Sequence, residues 1–266
     1  MTAESLYVYA IVPAATTGEL GTGIDRTSLE LVPSGDVAAV VHRHSGAPYE
    51  GADDDVKRWV LEHGDVIERA WERAGTVLPV SFNVLVAAAE DASAQQRLQE
   101  WLARGAAALG ERLDRLRDRV ELRVEIALDP HVLAEQHPDA QNLLADMDGR
   151  PAGVQRLLRK KLDQLERDIA DRVADDLYPE YRRRLAVISD ELTENRSART
   201  EPGTVAVLTV AVLVRRENME RVGLELAAIQ QEQPAARIRY LGPWPPYSFA
   251  EVPAMTPEAD PSVGAP

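Results

Sequence analysis

Chemistry in this chain would have to come from its histidines, its acidic clusters or its runs of basic residues, because it contains no cysteine to act as nucleophile, thiolate ligand or disulfide half. The histidines are His42, His44, His63, His131 and His137. His42 and His44 stand two apart and so share one face of a strand, yet no Asp or Glu close in sequence joins them, and the pair is not read as a zinc site. His63 falls near the apolar stripe of a helical segment; with no Ser or Cys elbow to activate, it reads as a partly buried helix histidine rather than a general base. Asp53-Asp54-Asp55 begins the same helix, where negative charge complements the positive end of the helix dipole. Asp146 and Asp148 flank Met147 ahead of Gly149 in the manner of a calcium loop, but Pro151, Ala152 and Val154 occupy the further ligand positions. Neither G-x-G-x-x-G nor a P-loop sequence occurs. The expectation is therefore a protein without catalytic residues, cofactor or metal.

Two basic clusters stand out on one long helical segment: Arg156, Arg159, Lys160 and Lys161, then Arg182, Arg183 and Arg184. In an acidic chain such clusters are read as solvated faces or as intramolecular partners for Asp and Glu, with a docking surface for an acidic partner as the second reading. One further segment is not explained by generic folding. Tyr240-Leu241-Gly242-Pro243-Trp244-Pro245-Pro246-Tyr247-Ser248-Phe249 places three prolines, one Trp, two Tyr and one Phe in ten residues of a chain that is only 5% aromatic. Its prolines remove backbone donors and favour extended geometry, so the segment is expected to be a rigid extended arm and not an interior strand or helix. Either it straps the core by burying Trp244 and Phe249, or it presents an aromatic and proline surface to a protein partner; the residues alone leave both open.

The elements that must carry these residues can be read from periodicity. Leu6–Val12 is a β-rich run closed by Pro13, and 36–42 is a second strand, paired with the segment at 29–32. From Asp53, three- and four-residue spacing of apolar positions predicts a helix that Gly75 ends. Residues 76–86 read as one largely buried strand, and 92–118 as a second helix loosened near Gly105 and Gly110. In 120–128 the alternation is strict, with Glu121, Arg123 and Glu125 on a face that should be wet or paired across a sheet. A short helix and a loop are expected over 131–152, then a long helix over 153–194 with a kink or break at Pro179. A strand at 204–214, a helix at 217–231 and a strand at 236–241 follow. The order β, long α, β, α, β resembles a ferredoxin-like α+β sandwich with one strand missing or unrecognised.

With 30 Lys and Arg against 44 Asp and Glu, the net charge of −14 repels phosphate backbones, so nucleic acid is not an expected partner. At 266 residues, 45% hydrophobic and 28% charged, the chain is long enough for two ordinary domains with real cores. No apolar stretch reaches the ~18 residues of a membrane span, and no basic segment precedes an apolar run at the start, so a cytoplasmic protein without membrane insertion is expected. The proline-rich stretch at 250–266 reads as a disordered or loosely attached tail.

The segment GPWPPYSF following a short strand resembles the C-terminal hallmark of the gas vesicle protein F/L (GvpF/GvpL) family. Leu6–Val12 is similar to that family's opening strand, and His63 followed by Thr76-Val77-Leu78-Pro79-Val80 to its His and Leu-Pro-Val block, so the likeness runs from about Leu6 to Phe249. Where the family pattern continues Arg-Phe-Gly, this chain has Ser81-Phe82-Asn83, and no role tied to that Arg or Gly is carried over. The resemblance implies two α+β domains, 1–117 and 118–249, the second a modified ferredoxin-like sandwich containing the long helix. It also implies a noncatalytic accessory protein of gas vesicle assembly that contacts the small hydrophobic shell protein and other accessory proteins of the vesicle. A minor constituent retained on the finished vesicle is the alternative. Gly242, Pro243, Trp244, Pro245, Pro246, Tyr247 and Phe249 are the candidate binding or structural arm.

Overall fold

The computed structural model describes residues 5–135, 137–194 and 201–253, and the chain divides into two compact units. The first runs to Arg119 and takes in the chain again from Trp244; the second is Val120–Pro243. Residues 244–249, expected with the C-terminal domain, therefore group with the first unit.

The first unit contains β1 (Ser5–Pro13), β2 (Glu30–Ser34), β3 (Val37–His44), α1 (Asp53–Ala74), β4 (Leu78–Pro79), β5 (Leu85–Ala87) and α2 (Ala94–Leu116). Its antiparallel sheet has the order β2-β3-β1-β4, and β5 also pairs with β1. Aromatic and β-branched residues favour a strand over Leu6–Val12, and every position from Ser5 to Val12 is buried, so both faces of β1 are covered. The register shifts between Val8 and Ala10, which leaves Tyr9 as the extra residue of a β-bulge. Helix α1 buries His63, Val66, Ile67, Ala70 and Trp71, the three- and four-residue spacing of one helix face. Gly75 ends it in the left-handed conformation (φ 68°), donating its N–H to the Trp71 carbonyl at 2.8 Å. Helix α2 starts on a Ser93–Gln96 capping box and runs through Gly105 and Gly110 without a break. A glycine costs a helix only ~1 kcal/mol relative to Ala, less than burial of the leucines at 98, 102, 109, 113 and 116 contributes.

The single strand expected over 76–86 is two short pieces, β4 and β5, with a turn between them. Pro79 has no N–H to continue a ladder, and Asn83 takes φ +71°, which turns the chain out of extended geometry. Both flanks still bond to β1, through Val80 N to Tyr9 O (2.9 Å) and Val8 N to Val84 O (3.0 Å).

The second unit is built on β6 (Arg119–Leu128), α3 (Pro130–Ala134), α4 (Pro138–Met147), α5 (Ala152–Ile188), β7 (Glu191–Glu194), β8 (Val205–Arg215), α6 (Met219–Glu232) and β9 (Ala236–Trp244). Its strands are ordered β7-β8-β6-β9. β7 was not expected from the sequence, and it corrects the helix expected over 153–194, which stops at Ile188. Residues 191–194 pair antiparallel with Val210–Leu213 instead, because that buried stretch of β8 offers them a ladder. Pro179 neither ends nor splits α5: it is exposed, as is Asp175, whose carbonyl loses its helical donor and can turn to water. The region 131–152 resolves into two helices, each with Pro in the first turn and a capping side chain, Asp129 or His137, before it. On β6, Val120, Leu122, Val124, Ile126 and Leu128 are buried, while Glu125 reaches Arg239 of β9 at 2.9 Å. Glu121 departs from the expected wet face and is only 2% exposed. α5 packs across β8 and is tied to α6 through Arg184.

Candidate functional site

The polar centre of the first unit is a set of phenols and imidazoles between β1, β3 and α1. Alternation places Tyr7 and Tyr9 on one face of β1, and the register sets His42 directly opposite Tyr7, so the two rings stack at 5.0 Å and 14°. α1 brings His63 over the same face, 5.7 Å from the Tyr7 ring and 5.3 Å from that of Tyr9. Phe82 closes one side, edge-on to His63 at 5.8 Å.

Hydrogen bonding fixes the proton positions. The His63 Nε2 lies 3.0 Å from the Val80 carbonyl, which can only accept, so Nε2 carries the proton and Nδ1 accepts from the Tyr7 hydroxyl at 3.0 Å. Tyr7 in turn accepts from the Asn83 N–H at 3.1 Å. A parallel chain runs from the Ile24 N–H to the Tyr9 hydroxyl (2.8 Å) and on to His42 Nδ1 (2.8 Å), with His42 Nε2 3.3 Å from the Tyr49 hydroxyl. Gly23 is needed beside it: a Cβ there would stand 2.3 Å from the Tyr9 hydroxyl. Burial depresses both imidazoles to about 4, the neighbouring His44 adding to the effect at His42. Burial also pushes the Tyr9 phenol up to about 12 and Tyr7 higher still. Both histidines are thus neutral and both phenols protonated at neutral pH, and the ring nitrogens and hydroxyls of all four residues are engaged within the chain.

Asn83 holds the edge of this centre. Its left-handed backbone is one that Gly or Asn tolerates best, and its amide bonds the backbone of Tyr49 twice, accepting from the N–H at 2.8 Å and donating to the carbonyl at 3.0 Å. The sequence reading missed Tyr7, Tyr9, Tyr49 and Asn83 as a group. The available signal was Tyr-x-Tyr on one strand facing His-x-His on the next, once their antiparallel register was known.

The remaining candidates are separate from this centre. His44 is partly buried and bonds the Ala47 carbonyl at 2.8 Å. His131, in the second unit, sits 3.2 Å from Glu166, whose carboxylate raises its pKa. His137 caps α4 by accepting from the Asp139 N–H. Asp53, Asp54 and Asp55 lie exposed in the first turn of α1. Asp148 is the C-terminal cap of α4. Among the described residues no cluster of three or more His, Asp or Glu side chains has metal-binding geometry.

The arm differs in part from expectation. Gly242, Pro243 and Trp244 continue β9 as an edge strand, the one sheet position where a residue without an N–H fits. Beyond it Pro245, Pro246 and Phe249 are buried, Trp244 is half-buried and Tyr247 is 46% exposed. Arg115 of α2 donates to the Phe249 carbonyl at 3.0 Å, and Arg112 to that of Glu251. Ala250–Pro253, expected as the start of a disordered or loosely attached tail, line a groove of about 370 Å³ together with Pro79, Val80, Ser81 and Val84. The tail reading from residue 254 onward lies outside the described residues.

The first unit thus holds a buried phenol–imidazole core under α1 together with the proline-rich arm, and the second a β7-β8-β6-β9 sheet with a long helix, an α+β architecture in both. The family model for "Gas vesicle synthesis protein GvpL/GvpF" matches residues 5–251, and the chain belongs to that family. It is 30% identical to gas vesicle protein L2 of Halobacterium salinarum over 263 residues, covering 93% of this chain and 91% of the relative. Gas vesicle protein L of Haloferax mediterranei is 27% identical over 246 residues, covering 89% and 74%. The fold matches the crystal structures of gas vesicle protein GvpF from Anabaena sp. PCC7120 (TM-score 0.67, 21% identity, 95% and 98% coverage) and from Microcystis aeruginosa (0.64, 20%, 93% and 99%). Membership implies a role in gas vesicle formation. No helix among the described residues is long and apolar enough to cross a membrane.

Proposed function

We propose that this chain is a noncatalytic accessory protein of gas vesicle assembly that binds the small hydrophobic shell protein, in company with other accessory proteins, during nucleation or growth of the vesicle. The observation that carries the reading is the family match across residues 5–251. Two features support it. The titratable centre of the first unit is consumed by its own hydrogen bonds, so its groups serve packing and not a substrate. A shell subunit exposes apolar surface before assembly, and a partner with net charge −14 keeps the complex dispersed. Tyr247 of the arm, and the groove lined by Pro79, Val80, Val84 and Val252, are the surfaces we assign to that contact.

The test is co-purification of the shell protein with wild type, Trp244→Ala and Tyr247→Ala, with thermal unfolding recorded for each. Lost binding by Tyr247→Ala at unchanged melting temperature supports a recognition surface. Undiminished binding by both variants removes the arm from the interface, and failure of wild type to bind the shell protein removes the proposal. Protein that withstands washing of isolated vesicles at fixed stoichiometry would instead make it a retained constituent.

A further inference from the structure

The two basic clusters that the sequence singles out have opposite fates. In the second, Arg182 pairs with Glu194, Arg183 with Glu180, and Arg184 with both Glu225 and Glu232. Arg156, Arg159, Lys160 and Lys161 have no acidic partner among the described residues. They lie in the second and third turns of α5, whose first turn carries no acidic residue. A chain with 14 more acids than bases thus keeps four cations close together on one helix without an ion pair among the described residues.

The same turns expose apolar surface. Leu157 is 69% and Val154 41% exposed, although Leu158 and Leu162 of the same helix join the cluster formed with Ala140 and Leu143 of α4. One helical turn on either side of Leu157 stand Gly153 and Val154, and Lys160 and Lys161. A Cβ at Gly153 would meet nothing within 4 Å, so a partner's backbone can approach closely there. The stripe Gly153, Val154, Leu157, Lys160 and Lys161 is thus apolar in one turn, basic in the next, and unpartnered within the described fold.

We propose that this stripe at the start of α5 is a docking surface for an acidic amphipathic helix of a protein partner, whose leucine-type side chains cover Val154 and Leu157 while its carboxylates meet Lys160 and Lys161. Charge complementarity selects that occupant: a basic helix is repelled, and a neutral apolar one leaves the cations unmet. The inference does not depend on shell-protein binding by the arm, which lies in the other unit.

The test uses the full chain and fluorescence anisotropy with a synthetic Leu/Glu amphipathic helical peptide. A Leu/Lys peptide of equal length and phosphatidylglycerol vesicles serve as competing probes. Leu157→Ser and the double variant Lys160→Glu/Lys161→Glu each weaken Leu/Glu peptide binding by about tenfold or more, and added salt weakens it in wild type. Val187→Ser, at an equally exposed apolar residue (72%) near the far end of α5, leaves binding unchanged. Melting temperatures verify that all variants are folded. Absence of binding to the Leu/Glu peptide, equal binding of both peptides, or insensitivity to the Leu157 and lysine variants overturns the proposal. So does binding confined to vesicles, or a concentration-dependent dimer that Leu157→Ser abolishes, which assigns the surface to lipid or to a second copy of the chain.

Discussion

At the scale of single residues, the neutral histidines make the first unit acid-sensitive. His42 and His63 titrate near 4 when folded, against about 6.5 in an unfolded chain, so between those values the unfolded state binds more protons. Stability is therefore full above about pH 6.5 and falls as pH drops toward 4, by up to ~1.4 kcal/mol per pH unit for each histidine. Urea unfolding followed between pH 4 and 8 should show that slope, and His42→Phe or His63→Phe should each flatten it even where the variant is less stable overall. A second expectation concerns Asn83, whose φ of +71° is compatible with Gly and costly for other side chains. Asn83→Gly gives up the two bonds to Tyr49 for about 1 kcal/mol, whereas Asn83→Val adds backbone strain and costs about 2–3 kcal/mol, readable as ordered midpoints in denaturant. None of this network was legible in the sequence beyond His63 as a helix histidine. Its members come from residues 7 to 83, and only the sheet register brings them together.

At the scale of elements, what was legible and what was not follows from which interaction decides the outcome. Helices α1 and α2 and strands β1, β3, β6 and β8 are set by their own periodicity, and they stand within a few residues of where the pattern puts them. β7 is not: Glu191-Leu192-Thr193-Glu194 extends the three- and four-residue spacing of α5, and only the waiting edge of β8 makes it a strand. Likewise 76–86 has the composition of a strand, and Pro79 and the left-handed Asn83 divide it. The Arg182–Arg184 cluster yields a prediction at this scale. Arg184 is 14% exposed and joins α5 to Glu225 and Glu232 of α6, while Arg183 is 67% exposed and pairs only within its helix. Arg184→Ala leaves the partly buried Glu225 carboxylate unpaired, while Glu232 is exposed, and should cost about 1–2 kcal/mol; Arg183→Ala should stay within about 0.5 kcal/mol of wild type. Equal effects of the two in chemical denaturation would mean that the α5–α6 tie does not stabilise the unit.

At the scale of the whole molecule, the arm is where sequence and structure differ most usefully. Its composition announced that it was special, but not to which unit it belongs, because burial depends on where the chain goes after β9. After Pro243 it joins the first unit, where Pro245, Pro246 and Phe249 are buried and α2 holds the Phe249 carbonyl through Arg115. Burial separates the side chains of this one segment: Phe249 is enclosed in the first unit and Tyr247 is exposed, which is why the proposed contact is placed on Tyr247 and not on Phe249. Phe249→Ala removes a large side chain that is only 4% exposed, and should destabilise the first unit by about 3–5 kcal/mol. Hydrogen exchange should then quicken at the amides of β1, β3 and α2, while those of β6 and β8 in the second unit keep their protection. Tyr247→Ala, at 46% exposure, should leave both patterns unchanged. If instead Tyr247→Ala lowers protection across β1 and β3, the arm is structural throughout, and only the groove beside Val80 and Val84 is left to the proposed shell-protein contact.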